Sequence, residues 1–178
     1  MITPACYCCG SSQNEFYVSE NGFTLVKCSA CGLLYVWPLP SNAERDEAVR
    51  LGVHRGEQDI RVTGSFSKRR VEPYLKILGD LYGEELQGRR LSWLDIGCGH
   101  GEFMVALRKF NPRTQIRGLE PNVYKQKAAQ KRNLDVSFFD IGSHRQRYDM
   151  LSLLNVYSHL PDPPSFLVRC RELLAPEG

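Results

Sequence analysis

Leu94-Asp95-Ile96-Gly97-Cys98-Gly99-His100-Gly101-Glu102-Phe103 is the stretch whose reading decides the fold. The apolar run at 91–96 has the length and character of a buried strand. It breaks into a glycine-rich turn, after which Phe103, Ala106, Leu107 and Phe110 recur at helical spacing. Glycines in such a turn let the backbone come close to a ligand. The helix that follows presents unpaired N–H groups and the positive end of its dipole. Strand, glycine turn and helix together make a cradle for a nucleotide-type ligand.

The spacing narrows the ligand. Gly97, Gly99 and Gly101 give GxGxG, whereas the dinucleotide fingerprint GxGxxG would put its third glycine where Glu102 stands. Asp95, just before the turn, would repel a pyrophosphate but suits the cationic end of an amino acid, directly or through water. Residues 115–120 read as a second strand ending in Glu120, whose carboxylate can accept hydrogen bonds from both hydroxyls of an unmodified ribose. A ligand with a ribose, an amino acid and no phosphate fits S-adenosylmethionine, and the same features disfavour an NAD-dependent oxidoreductase.

LDIGCGHGEF, GLEP and YDMLSLLNVYSHLPDPPSFL resemble, in this order and spacing, the class I S-adenosylmethionine-dependent methyltransferases over about residues 91–178. The resemblance implies that Asp95 and the turn backbone of Gly97, Cys98, Gly99 and Gly101 face the methionine moiety. It implies that Glu120 holds the ribose while Pro121 and Asn122 border the adenine. Asp140 with Ile141 fits the position that meets adenine N6, and Asn155 the one whose carbonyl meets the methionine amino group. In the resembling family a VLEH-type segment stands where this chain has Tyr157-Ser158-His159. His159 matches it, and Ser158 replaces an acid. His159 is therefore the first candidate for a general base, Tyr157 the second and His100 the third; a packing or capping histidine is the competing reading of His159. The family's core has seven strands, and this chain stops at Leu174-Ala175-Pro176-Glu177-Gly178. The expectation is an incomplete core of four parallel strands: a fragment, a truncated product, or a chain completed by a partner. Its fourth strand would be an apolar edge open to a partner chain or to self-association.

Seven cysteines need a reason, and five lie in the first 31 residues. Cys6-x2-Cys9 and Cys28-x2-Cys31, with 18 residues between the pairs, have the spacing of a tetrahedral thiolate zinc site. Gly10 and Gly32 follow the pairs and allow the tight turn of a zinc knuckle. Disulfides are the alternative, disfavoured in a chain with no recognisable leader. Cys8 can replace a neighbour as ligand or point away; Cys98 and Cys170 read as small buried hydrophobes. CxxCG followed by CxxCGLLYVWPLPS resembles the zinc-ribbon leader of one group of bacterial class I methyltransferases, where it packs near the substrate side. A folding staple is the plainer reading.

Composition bounds the rest. A hydrophobic share of 42% with 24% charged residues is ordinary for a globular protein. No run approaches a membrane-spanning length, and the polar start is no signal peptide, so a cytoplasmic location is expected. The formal charge of +3 falls to about +1 once four thiolates hold one Zn²⁺. Residues 1–90 carry 11 basic and 11 acidic side chains, and residues 91–178 carry 12 and 9. This is no electrostatic footprint for nucleic acid.

The expected architecture is α/β: a Rossmann-like, doubly wound parallel sheet, preceded by a small zinc-ribbon module. Residues 1–40 form the ribbon, with strands at 15–19, 23–27 and 33–37 and a hairpin turn at Glu20-Asn21-Gly22. Residues 41–90 are a helical linker: a helix capped by Ser41 or Asn42 through about Leu51, a loop at 52–64, then a helix capped by Ser65 or Ser67 and ended by Gly83. In residues 91–178 the expected order is strand 91–96, helix 101–110, strand 115–120, helix 122–133, strand 136–140, strand 148–155 and helix 163–174. The function expected is methyl transfer to a small-molecule acceptor, a sugar or secondary-metabolite oxygen or carbon. The alternatives are a non-catalytic scaffold built on the same cofactor fold, or a nucleic-acid methyltransferase. The last lacks an (N/D)PP(Y/F)-type tetrapeptide, since Asn155-Val156-Tyr157-Ser158 occupies that place.

Overall fold

A computed structural model describes residues 5–54, 56–62, 64–176 and 178. It divides the chain into two compact units, Met1–Val62 with Pro161–Ser165, and Thr63–Leu160 with Phe166–Gly178.

The first unit is built on an antiparallel sheet of β1 (Asn14–Glu20), β2 (Phe23–Cys28) and β3 (Leu34–Val36), in that order. Its core is small: Cys6, Cys28 and Tyr35 are buried, with Val26 and Leu33 packed against them. Helix α1 (Asn42–Leu51) begins in a capping box. Ser41 Oγ accepts from the Glu44 N–H, and Glu44 Oε2 accepts from the Ser41 N–H at 2.9 Å. The segment expected as loop at 52–64 contains a hairpin, β4 (Val53–His54) paired with β5 (Ile60–Arg61). Two-residue strands leave no alternating pattern to read. A tertiary clasp helps hold the hairpin loop: Asn21 Nδ2 donates to the Gln58 carbonyl at 3.1 Å, and the Gln58 N–H donates to Asn21 Oδ1 at 2.8 Å.

The second unit runs α2 (Lys68–Leu86), β6 (Ser92–Ile96), α3 (Glu102–Phe110), β7 (Gln115–Glu120), α4 (Val123–Gln130), β8 (Val136–Phe138), β9 (Met150–Ser152), a 3-10 turn at Tyr157–His159 and, from Phe166 onward, α5 (Pro163–Glu172). The four strands are parallel in the order β8-β7-β6-β9. Alternation along β6 sends side chains to both faces. Trp93 joins Val71, Leu78, Leu86, Phe103 and Leu107 in one buried cluster. Leu94 and Ile96 join Leu119, Tyr148, Cys170 and Leu173 in another. Two cores on opposite faces of a parallel sheet make the doubly wound, Rossmann-like arrangement that the alternation of strand and helix implies.

Several boundaries differ from expectation for identifiable reasons. Helix α2 runs through Gly83 to Leu86, because Leu86 is buried in the first cluster and its carbonyl accepts Asn111 Nδ2 at 2.6 Å. Ser67 occupies the N-cap position of α2 without a side-chain capping bond. Of the strand expected at 148–155, Met150–Ser152 pairs with β6 and Tyr148 makes an isolated parallel bridge with Leu174, while Asn155 takes a positive φ of 56° and turns the chain. The strand expected at 136–140 ends at Phe138, which leaves Asp140 and Ile141 in the following turn.

Candidate functional site

The glycine turn hangs from the end of β7: the N–H groups of Gly97 and Cys98 both donate to the Leu119 carbonyl, at 2.7 and 3.1 Å. Gly97, Gly99 and Gly101 all have positive φ, but for different surroundings. A Cβ at Gly97 would collide with Val156 Cγ2, and one at Gly101 with Leu134 Cδ1; at Gly99 it would meet open space. The outer two glycines are thus required by packing. The middle one leaves the backbone bare on the side from which a ligand can approach.

Glu120 closes the turn from below. It is 5% exposed, and its carboxylate accepts from the Gly99 N–H at 2.7 Å and the Asn122 N–H at 2.9 Å. Burial raises its pKa above the ordinary glutamate value. Each oxygen is therefore engaged by backbone and retains one lone-pair direction for a hydroxyl donor. Asn122, also buried, caps α4 by accepting from the N–H groups of Tyr124 and Lys125.

Asp95 is the most enclosed acid, at 1% exposed. Ser152 Oγ donates to Asp95 Oδ1 at 2.6 Å, and Trp93 Nε1 donates to Ser152 Oγ at 3.0 Å. Burial pushes the Asp95 carboxyl up to about 7; the Ser152 hydroxyl opposes this, and the neighbouring Glu120 carboxylate adds to it. Ser152, Trp93 and Val156 were absent from the sequence expectations. Gly118, read only as part of its strand, turns out to be needed: a Cβ there would lie 2.6 Å from Cys98 Sγ and 2.8 Å from Met104 Sδ. An isolated glycine inside a strand pattern was a readable signal of that close approach.

At the third-glycine position of a dinucleotide motif, Glu102 is buried and turned to a structural task. Its Oε1 accepts from the Ser67 N–H at 3.0 Å and lies 3.7 Å from Arg70 Nη1. A carboxylate fixed at the start of α3 leaves that helix end poorly suited to phosphate. His100 is buried within the turn, and burial holds its pKa below the ordinary histidine value.

The remaining expected residues follow the carboxyl ends of the same four strands, the edge at which ligands of such sheets bind. Pro121 follows β7. Asp140 is exposed in the turn after β8 and accepts from the Ser143 N–H, with half-buried Ile141 beside it. Asn155 is exposed in the turn after β9, and Tyr157 and His159 stand exposed on the 3-10 turn beyond it. The topology brings the segments that follow these four strands to one sheet edge. Among them, hydrogen bonds join Asp95 to β9 and Glu120 to the glycine turn.

In the first unit the Sγ atoms of Cys6, Cys9, Cys28 and Cys31 lie within 4.8 Å of one another, and Cys8 is exposed outside the group. Two matching turns build the cluster: the Gly10 N–H donates to the Cys6 carbonyl at 2.7 Å, and the Gly32 N–H to the Cys28 carbonyl at 2.8 Å. Cys6–Cys31 and Cys9–Cys28 are each 3.6 Å apart, too far for a disulfide. Four sulfurs at about 2.3 Å from one ion would be spaced by about 3.8 Å, so the donor set fits tetrahedral Zn²⁺. Without an ion the thiols share charge unevenly: the Cys31 amide draws Cys28 down to about 6, while Cys9 is held up and Cys31 is pushed up to about 12 beside its neighbouring thiols.

A family model described as a methyltransferase domain matches residues 66–178, more than half of the chain. A ubiquinone biosynthesis O-methyltransferase of Rhodopseudomonas palustris (strain BisB5) is 32% identical over 102 residues, covering 52% of this chain and 38% of that protein. Its counterpart in Salmonella paratyphi A is 25% identical over 108 residues, covering 56% and 42%. The chain thus spans about two fifths of the length of these relatives. Among solved structures, a coclaurine N-methyltransferase bound to N-methylheliamine and SAH shares the fold with a TM-score of 0.52 at 18% identity, over 60% of this chain and 34% of that one. A plantazolicin methyltransferase in complex with a pentazolic desmethyl analogue and SAH does so with a TM-score of 0.51 at 22% identity, over 61% and 44%. On the family match, the glycine turn and the β8-β7-β6-β9 parallel sheet, this chain belongs to the methyltransferase domain family.

Proposed function

We propose that this chain binds S-adenosylmethionine at the carboxyl edge of its parallel sheet and serves methyl transfer to a small-molecule acceptor, a sugar or secondary-metabolite oxygen or carbon. The observation that carries the reading is the pairing of a bare Gly99 backbone with two buried carboxylates, Asp95 and Glu120, on the two central strands. Such a cradle suits a ligand with a cation at one end and a hydroxylated sugar at the other. It repels a pyrophosphate. When bound, S-adenosylmethionine supplies an electrophilic methyl group on a sulfonium.

The residues divide the work. Asp95, with the backbone of Gly97, Cys98, Gly99 and Gly101, holds the amino-acid moiety, joined by the Asn155 carbonyl. Glu120 accepts from the ribose through its spare lone pairs, while Pro121, Asn122, Asp140 and Ile141 border the adenine. Transfer needs the acceptor held close and in line. His159 is the first candidate to take a proton from a hydroxyl or carbon acid, and Tyr157 the second. Both stand exposed past β9, accessible to an acceptor.

The ribbon, residues 1–40, holds structural Zn²⁺ on Cys6, Cys9, Cys28 and Cys31; residues 41–90 lead into the cofactor domain at 91–178, with α2 packed in that domain's buried cluster through Val71, Leu78 and Leu86. Among the described residues, no helix is long and apolar enough to cross a membrane. The function is tested by calorimetric titration of the zinc-loaded chain with S-adenosylhomocysteine, with NAD as control. Selective binding of the first is the expected result. Equal affinity for NAD, or none for either ligand by a chain shown to be folded, overturns the reading.

A further inference from the structure

Trp93, Asp95 and Ser152 form a buried hydrogen-bond relay across two strands. Trp93 and Asp95 are two apart on β6 and share one face, and the parallel register sets Ser152 of β9 opposite Asp95. Indole Nε1 can only donate, so its bond to Ser152 Oγ occupies a lone pair. The single hydroxyl proton of Ser152 is thereby directed to Asp95 Oδ1. Ser152 is 8% exposed and Trp93 3%, so water does not compete for these bonds. Among the described residues, Ser152 Oγ is the one donor met by the Asp95 carboxylate, and Oδ2 is left for a ligand.

We infer that Ser152, oriented by Trp93, is a positioning residue for cofactor binding: its hydroxyl favours the carboxylate form of Asp95 and fixes its direction, ready for the cation of the amino-acid moiety. This deepens the cofactor reading above and rests on it. The environment makes such a donor necessary. Glu120 at the end of β7 adds a second carboxylate, and neither Cys98 in the turn nor Tyr74 of α2 brings a positive charge to Asp95. A buried carboxyl with no donor and no nearby cation takes up a proton, and a protonated Asp95 no longer attracts an ammonium group. The Ser152 hydroxyl opposes that uptake.

The test compares two ligands across pH. S-adenosylhomocysteine carries the amino-acid arm, and 5′-methylthioadenosine keeps the nucleoside without it. Titrations of the unaltered chain, Ser152→Ala, Ser152→Thr and Trp93→Phe are run between about pH 6 and about pH 9. Ser152→Ala, by raising Asp95 about one pKa unit, should weaken S-adenosylhomocysteine about tenfold near pH 6 and about fivefold near pH 7, with the loss shrinking toward the alkaline end as Asp95 ionises unaided. Its affinity for 5′-methylthioadenosine should not change. Ser152→Thr should restore binding, and Trp93→Phe should show a smaller loss with the same pH trend. An equal loss for both ligands, or a loss that ignores pH, makes Ser152 a packing residue and overturns the inference alone. If the unaltered chain binds neither ligand, the cofactor reading fails and takes this inference with it.

Discussion

Asp95 and Glu120 are acids in places where acids are costly. Both are at least 95% buried, and both have pKa values raised first of all by burial. For Asp95 the folded value of about 7 lies above the ordinary 3.8. The folded chain then binds more protons than the unfolded chain between these values, so this group's contribution to stability is full below about pH 4 and is lost as pH rises through about 7. The ligand-free protein should lose about 4 kcal/mol from this source over that range, and Asp95→Asn should remove the loss. Urea unfolding of both proteins at several pH values measures the difference; parallel profiles would show that Asp95 is not carried as a strained acid. Glu120 and Asp95 were legible in sequence because their meaning is local: Glu120 ends its strand and Asp95 is one residue from the end of its own, each beside a turn. Ser152 was not, because its role depends on register with a residue 57 positions away. A serine inside an apolar strand has no pattern of its own.

Elements show the same divide between local and long-range causes. Ser41 and Glu44 start α1 by a reciprocal cap that sequence spacing announces, and α1 begins there. Strand β9 is shorter than its apolar run suggests, since it pairs with β6 only as far as Ser152. Leu153 and Leu154 continue the apolar run into the turn, and hydrophobicity alone does not distinguish pairing from turning. On β7, Gly118 shows how one strand position fixes the layer above it. Cys98 of the glycine turn and Met104 of α3 both press on the space where its Cβ would stand. Gly118→Ala should overpack this contact and destabilise the protein by about 1–3 kcal/mol, read as a lower urea midpoint. Because Met104 is flexible and Cys98 is part of the turn, the same variant should bind S-adenosylhomocysteine less well if the sulfur of Cys98, rather than Met104, gives way. An unchanged midpoint would mean that Met104 alone moves and that the turn is not seated on Gly118.

Across the whole molecule, the two units differ in what holds them together. Among the described residues, the second unit has three buried clusters on and around its sheet, whereas the first has Cys6, Cys28 and Tyr35, with two partly buried neighbours. A core that small does not offset the entropy of ordering some sixty residues. A Zn²⁺ ion held by the four thiolates would supply much of the first unit's folding free energy. The cysteine spacing made this legible, but the exclusion of Cys8 came only from the matching turns at Gly10 and Gly32. Each unit contains one tryptophan, Trp37 at 36% exposed in the first and Trp93 at 3% in the second. A strong chelator should therefore unfold the first unit and leave the second folded. In Trp37→Phe, whose sole remaining indole is Trp93, emission should stay that of a buried indole after chelation. Hydrogen exchange over residues 14–36 should accelerate to the rate of unprotected amides, while β6 and β7 remain protected. Returning Zn²⁺ should restore protection. If Trp93 emission shifts red together with the loss of the ribbon, the two cores unfold as one and the metal stabilises the cofactor sheet as well. If chelation changes neither signal, the four thiols hold no metal that matters to folding, and Tyr35 with its neighbours is a sufficient core.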